Sequence, residues 1–353
     1  MSQAKEQVRT HAVEQGADRD HLKHLTADQR AVVTHTDGPL LVVAGAGTGK
    51  TRALVERIVW LTTVRGVPPQ HILALTFTEK AAAELQNRVD DALPISAMTP
   101  RIGTFHSFCE YVLRDEARSI GLDPRFRMLS SPEVWLRVKR KLFQLPLSLY
   151  RPLGNPTKFV RDLADFFSLV KDHGITPENL ETYATRALEQ RHETGPEGRG
   201  QDEAAQWREL AGVYRAHIAS QRAEGVMDFG DLQAETVRLF REHPAVLGRI
   251  RDRFPHILVD EFQDTNALQC TLIELLAGPT GDLVVVSDDD QAIFAFRGSN
   301  IANVLTFRER FPRSALVSLR DNFRSPQAIL DRAYELIQRT NPHRLEAMVH
   351  ISK

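Results

Sequence analysis

The run Pro39-Leu-Leu-Val-Val-Ala-Gly-Ala-Gly-Thr-Gly-Lys-Thr51 constrains the fold more than any other stretch of this chain. Leu40 to Ala44 form a short apolar run rich in branched residues and read as a buried strand. A loop with three glycines follows, and Arg52 to Trp60 then carry apolar positions at helical spacing. Strand, glycine-rich loop and helix in that order make a phosphate cradle. Glycines let backbone N–H groups close around an anion, and the helix N-terminus adds its positive end. Lys50 is then placed to reach the β- and γ-phosphates of a nucleotide, and the Thr51 hydroxyl to ligate Mg²⁺. The strict pattern would have a glycine where Ala44 stands.

A length of 353 residues exceeds one average domain, and an apolar content of 42% suffices for sizeable cores. The formal net charge of −1 gives no bulk signal for nucleic acid, so any DNA surface must be a local basic groove. Cys109 and Cys270 are the two cysteines; they fit neither a disulfide framework nor a metal spacing and point to a reducing cytosol. The first 24 residues lack an apolar core and no later run approaches a membrane span, so neither a signal peptide nor a membrane is expected.

Residues 1–20 read as a loose tail. Thr26 is a candidate N-cap for a helix through Val33, in which Gln29 is either an ordinary exposed residue or part of the nucleotide site. His71 to Thr78 read as a second buried strand running into a strong helix former from Glu79 to Leu85. Ile102 to Phe108 read as a third strand end, with His106 either a packing histidine or a ligand. From Glu110 to Gly225 the pattern turns helical. Phe159, Val160, Leu163, Phe166, Phe167 and Val170 form one apolar stripe, and Trp207, Leu210, Ala211, Tyr214 and Ile218 another. Arg191 to Glu203, polar and broken by Gly and Pro, read as a surface loop between them.

The α/β signal returns with Ile257-Leu-Val-Asp-Glu261, an apolar strand ending in two adjacent carboxylates. Such a pair complements a phosphate loop: Asp260 would hold Mg²⁺ through its water shell, and Glu261 would polarise an attacking water. Asp282 to Gln291 form a further strand with a polar end. Behind it, Phe294, Phe296 and Arg297 either pack inside or form a platform on which bases stack. A last strand from Ala315 leads through Asn322-Phe-Arg324 into a helix toward Ile337.

Leu25 to Gln29, Ala44 to Thr51, Thr76 to Ala82, Gly103 to His106, Asp228 to Leu232, Val259 to Asp264, Asp288 to Gln291 and Asn322 to Arg324 together resemble the superfamily 1 UvrD/Rep-type DNA helicases, in order and spacing from about residue 21 to 340. The resemblance implies an α/β fold: a RecA-like P-loop domain with a parallel sheet (21–110 and 226–315), a helical subdomain inserted in it (111–225), and the start of a second RecA-like domain (316–353). It implies ATP and Mg²⁺ as cofactors, Mg²⁺ being held by Thr51 and Asp260. The phosphate loop would be Ala44, Gly45, Ala46, Gly47, Thr48, Gly49, Lys50 and Thr51. Gln29 would read the adenine, flanked by Arg52 and Phe323. Gln291 would sense the γ-phosphate, and Arg324 would be an arginine finger from the second domain, so the catalytic set is Lys50, Asp260, Glu261, Gln291 and Arg324.

Phe77, Lys80, His106, Phe294, Phe296 and Arg297 match positions that line the single-strand track. Ser287, Phe294 and Phe296 depart from the family's glycine, tyrosine and tryptophan; stacking survives these changes, a phenolic hydrogen bond does not. The implied activity is a 3′-to-5′ helicase acting on single-stranded and duplex DNA in the cytoplasm, with no membrane and with protein partners left open. Two further family motifs are expected beyond Lys353. A chain without them would alternatively be a nucleotide-responsive single-strand-binding module with no motor activity.

Overall fold

The structure, a computed structural model, describes residues 22–93, 98–150, 154–191, 199–291 and 302–340. Helix α1 (Ala27–Val33) opens with a capping box. The Thr26 hydroxyl accepts from the Gln29 N–H (3.2 Å) and the Gln29 side chain accepts from the Thr26 N–H (3.3 Å). Strand β1 (Leu40–Ala44) follows, buried along its length, then α2 (Lys50–Thr63), β2 (Ile72–Thr76) and α3 (Glu79–Ala92), which is capped by Thr78. Strand β3 (Arg101–Thr104) passes directly into α4 (Phe105–Glu116). The expected strand through Phe108 therefore stops four residues early. Ser107 Oγ accepts from the Thr104 N–H (2.9 Å) while Thr104 Oγ1 accepts from the Ser107 N–H (3.2 Å), and this reciprocal cap starts the helix at Phe105.

Further along lie β4 (Arg127–Met128), α5 (Ser131–Lys141), α6 (Pro156–Asp172), α7 (Pro177–Arg191), α8 (Arg199–Ala223), β5 (Val226–Met227) and α9 (Phe229–Glu242). Arg199 to Glu203, expected in a loop, belong to α8; the segment is rich in helix formers and buries Ala204. The chain continues through α10 (Pro244–Arg253), β6 (His256–Val259), α11 (Ala267–Ala277), β7 (Asp282–Ser287), α12 (Ala302–Leu305), α13 (Phe307–Arg310), β8 (Ala315–Leu319) and α14 (Gln327–Thr340).

Two compact units result. One comprises Met1–Phe108, Leu247–Thr265 and Ile273–Lys353; the other comprises Cys109–Val246 and Asn266–Leu272. The first holds a six-stranded, all-parallel sheet in the order β3-β2-β6-β7-β1-β8. Its central strands are apolar on both faces, as a parallel sheet covered on both sides requires. Val32 and Val33 of α1 and Ala53, Leu54 and Ile58 of α2 join Leu40, Val42, Ala74, Leu258, Val284 and Val286 in one core. Burying each Val, Leu or Ile is worth about 1.5–3 kcal/mol.

The boundary expected at 315/316 needs correction. Strand β8 pairs with β1 from Leu40↔Ala315 to Ala44↔Leu319, so the strand leading to Arg324 completes the sheet of the phosphate-loop unit. Arg324 accordingly belongs to the unit that carries Lys50 and is not contributed by a second domain.

The second unit packs Val160, Leu163, Phe167 and Val170 of α6 with Ala211 and Tyr214 of α8, the two stripes visible in the sequence. Below them Lys171, 1% exposed, lies 2.6 Å from both Asp228 and Asp231. Burial works against its charge, but the two carboxylates outweigh burial and hold it protonated. Asp228 also caps α9 by accepting from the Asp231 N–H (3.0 Å). A Cβ at Gly230 would meet Lys171 Cβ and Cδ at 2.9 Å, so the Asp228-Phe-Gly-Asp231 segment is shaped around this buried ion pair.

Arg57 of α2, 1% exposed, ties the first unit together. Its Nη1 donates to the carbonyls of Val32 (3.1 Å), Val33 (3.1 Å) and His35 (2.7 Å), and its Nη2 to Asp282 Oδ1 (2.6 Å), whose Oδ2 meets His256 Nδ1 (2.6 Å). Burial would raise the Asp282 carboxyl, but the His256 ring and the Arg57 guanidinium hold it below its ordinary range. Arg57→Ala is expected to destabilise the protein by about 3–5 kcal/mol, read from urea unfolding, because Asp282 and the α1 carbonyls lose their partner in the core. A carboxyl depressed on folding contributes stability above its ordinary value and loses it as pH falls. The difference between wild type and Arg57→Ala should therefore be full at pH 7 and shrink toward pH 3.

Candidate functional site

The carboxyl ends of the parallel strands are where such a sheet exposes its loops. The turn after β1 is built on two glycines in the left-handed region, Gly47 (φ +84°) and Gly49 (φ +87°), the latter being the N-cap of α2. A Cβ at Gly49 would meet Gln29 Nε2 at 2.6 Å, and one at Gly47 would meet Arg324 Cβ at 2.6 Å. Ala44 ends β1, paired with Leu319, and takes no left-handed conformation, so alanine suffices where the strict pattern has glycine. Thr48 Oγ1 donates to the Gly45 carbonyl (2.8 Å) and closes the loop. Beyond it the first N–H groups of α2 lack intrahelical acceptors and form its positive end.

Lys50, the first residue of α2, is brought into a group of acids from the neighbouring strand ends. Its Nζ lies 3.3 Å from Asp288 Oδ2 behind β7 and 3.6 Å from Glu261 Oε2 behind β6. Asp260, 7% exposed, is pushed up to about 6 by burial and by Glu261, against the pull of Lys50. Asp264 is likewise pushed up to about 6, and burial raises Asp288. Glu261 is the non-glycine residue with positive φ (+51°) among those described, a strained backbone of the kind concentrated at functional sites. Its carboxylate accepts from Gln263 Nε2 (2.6 Å), and Gln263 Oε1 accepts from the Asp288 N–H (2.9 Å). Gln263, Asp264 and Asp288 thus join the acids around Lys50, and none of the three is among the site residues expected from the sequence. Their motifs were visible, but the direction in which each side chain turns was not.

The remaining expected residues fall as follows. Gln291 donates from Nε2 to Asp288 Oδ2. Gln29 is 1% exposed, which excludes the exposed reading; its Nε2 donates to the Thr48 carbonyl (3.2 Å), leaving one N–H for a further acceptor. Arg52 is exposed, with Nη2 donating to the His24 carbonyl (3.3 Å). Phe323 is 60% exposed and its N–H donates to the Gly47 carbonyl (2.9 Å). Arg324 is exposed beside the phosphate loop.

Phe77, directly after β2, is half-buried, and Lys80, in the first turn of α3, is exposed. His106, half-buried in the first turn of α4, is pushed down by burial against the pull of Glu79. Because β2 and β3 end in register at Thr76↔Thr104, Phe77 and His106 emerge from one edge of the sheet. Phe294, Phe296 and Arg297 lie outside the described residues.

The acids around Lys50 make a strongly negative pocket. Asp264 Oδ1 and Asp288 Oδ1 are buried without hydrogen-bond partners, and Asp260, Asp264 and Asp288 are raised chiefly by burial, with neighbouring carboxylates adding to it. Such a field favours added positive charge, although among the described residues no group of three or more acidic, histidine or cysteine side chains is arranged to hold a metal ion. Ionised Asp260 should cost stability, since its raised carboxyl binds a proton more tightly folded than unfolded; the cost grows as pH rises from about 4 to about 6. In metal-free buffer Asp260→Asn is expected to raise Tm by about 3 °C at pH 8 and to leave it unchanged at pH 4, as measured by scanning calorimetry. An unchanged Tm at pH 8 would show that the fold does not oppose ionisation of Asp260.

Comparison with known proteins identifies the family. Residues 25–312 match the model for the UvrD/REP helicase N-terminal domain. DNA helicase II of Escherichia coli (strain K12) is 35% identical over 320 residues, 91% of this chain and 41% of that protein. ATP-dependent DNA helicase UvrD1 of Mycobacterium tuberculosis (strain ATCC 25618 / H37Rv) is 38% identical over 328 residues, 90% of this chain and 40% of that protein. ATP-dependent DNA helicase PcrA of Staphylococcus epidermidis (strain ATCC 12228 / FDA PCI 1200) is 34% identical over 317 residues. The chain spans about 40% of the length of these curated relatives. With its parallel α/β sheet, its glycine turn and the acids around Lys50, the chain belongs to the UvrD/Rep helicase family.

Proposed function

We propose that this chain is the ATP-binding portion of a 3′-to-5′ DNA helicase. The observation that carries the reading is the Lys50 ammonium, 3.3 Å from Asp288 and 3.6 Å from Glu261 at the mouth of a left-handed glycine turn. A cation on a helix N-terminus facing carboxylates is suited to a polyanion bridged by a metal.

In this reading the N–H groups of Gly45 to Lys50 cradle the phosphates, and Lys50 exchanges its contact with Asp288 for the β- and γ-phosphate oxygens. The Thr51 hydroxyl and the Asp260 carboxylate would hold Mg²⁺, which would supply charge neutralisation of those oxygens. Glu261, turned by its strained backbone and held by Gln263, orients and polarises the attacking water. Gln291 reports on the γ-phosphate from the end of β7, and Arg324 neutralises charge there. Gln29 reads the adenine with its remaining N–H, between Arg52 and Phe323.

Phe77, Lys80 and His106 line the single-strand track, and hydrolysis drives stepping along single-stranded DNA and separation of a duplex. The cytosol suits two buried free cysteines, and no described helix is long and apolar enough to cross a membrane.

A fluorescent ATP analogue titrated with Mg²⁺ against the 353-residue chain tests the site. Lys50→Ala is expected to weaken binding at least about tenfold through loss of charge-assisted contacts, and an equal affinity would overturn the assignment. For the track, fluorescein-labelled oligo-dT should bind less tightly as salt rises. Lys80→Ala should weaken that binding and reduce the salt slope by about one unit; an unaltered slope would remove Lys80 from the phosphate contacts.

A further inference from the structure

Asn322 is 2% exposed and stands between the phosphate loop and the turn that carries Arg324. Its Nδ2 donates to the Ala46 carbonyl at 2.7 Å, and its Oδ1 accepts from the N–H groups of Arg324 (2.9 Å) and Ser325 (2.9 Å). Alongside, the Phe323 N–H donates to the Gly47 carbonyl at 2.9 Å. Turn and loop approach so closely that a Cβ on Gly47 would meet Arg324 Cβ at 2.6 Å and Asn322 Oδ1 at 2.9 Å. The far side of the turn is held as well. Arg320 grips Asp28 through Nε (2.9 Å) and Nη2 (2.8 Å), and Asp28 adjoins Gln29, whose amide binds the Thr48 carbonyl.

Arg324 itself is exposed. A long side chain of this kind loses rotamer freedom when it engages a ligand, so its contribution depends on how well its backbone is placed beforehand. Asn322 fastens that backbone to the loop, with its amide oxygen on the Arg324 N–H and its amide nitrogen on the loop carbonyl.

We propose that Asn322 is a positioning residue that makes the phosphate loop and the Arg324 turn one rigid body, and so sets how strongly the site distinguishes a nucleoside triphosphate from a diphosphate. The inference rests on the nucleotide reading given above and assigns a determinant of its γ-phosphate preference. A purely structural asparagine would, on replacement, lower Tm and weaken all nucleotides alike. A positioning asparagine, on replacement, acts on the triphosphate and only through Arg324.

The test uses the full 353-residue chain with Mg²⁺, measuring affinity for ADP and for ATPγS by competition against a fluorescent nucleotide. Asn322→Ser is one atom shorter and lacks Nδ2 while keeping an oxygen for the turn; Asn322→Ala removes both interactions. Arg324→Ala should reduce the preference for ATPγS over ADP by about tenfold, the worth of one charge-assisted contact. Asn322→Ser should reduce it by a similar factor with ADP affinity within about twofold of wild type, and the double variant should lose no more than either single change. The proposal is overturned if Asn322→Ser keeps the wild-type preference, weakens both nucleotides equally, or multiplies with Arg324→Ala. It is also overturned if the wild type shows no preference. A wild-type chain that binds neither nucleotide would instead remove the nucleotide reading, which is a separate outcome. Should Asn322→Ala fail to fold, the serine variant carries the comparison.

Discussion

The pairing of β1 between β7 and β8 is the constraint on which the site depends. Parallel register brings Leu40 opposite both Val284 and Ala315, so that three strands end together: one in the glycine turn, one in Asp288, one in the Asn322–Arg324 turn. Parallel strands need crossover connections, and these carry residues remote in sequence to one edge. Lys50 thereby meets an acid 238 positions away, and Ala46 an asparagine 276 positions away. No local preference could assemble these contacts.

Buried charge serves two ends in this molecule. Arg57 and Lys171 are saturated: each is 1% exposed and its partners leave no room for a ligand, so both act on stability and register. The group around Lys50 is different in kind. Asp260, Asp264 and Asp288 are raised by burial, and two of their oxygens lack partners. An arrangement that holds several acids around a single lysine is costly as a fold element, and the proposed function, in which a nucleotide binds there, accounts for that cost as the trade of stability for function expected where a site is preorganised.

Local signals carried the reading well where the chain is locally consistent. The N-cap at Thr26, the buried run of β1, the Asp260-Glu261 strand end and the two stripes of the helical unit appear in the structure as their residue patterns imply. Difficulty arose where a side-chain hydrogen bond overrode propensity. The Ser107–Thr104 exchange turned an apolar run into a helix start, and helix formers after Arg199 extended α8 into a polar segment. Gln29 shows a third kind of difficulty. Its surroundings depend on Gly49 and Thr48, which reach it only through the tertiary fold.

Sequence alone determined the chemistry: a glycine turn that can close on phosphate, a lysine and threonine behind it, paired acids ending a strand, and apolar periodicities for a sheet and a helical block. These follow from residue type and spacing within a few turns of chain. Tertiary structure decided which of the acids face Lys50, that β8 completes the phosphate-loop sheet, and therefore that Arg324 and Asn322 belong to the same body as the loop. The physical reason is that strand register and side-chain direction are settled by long-range packing, which a one-dimensional pattern does not contain.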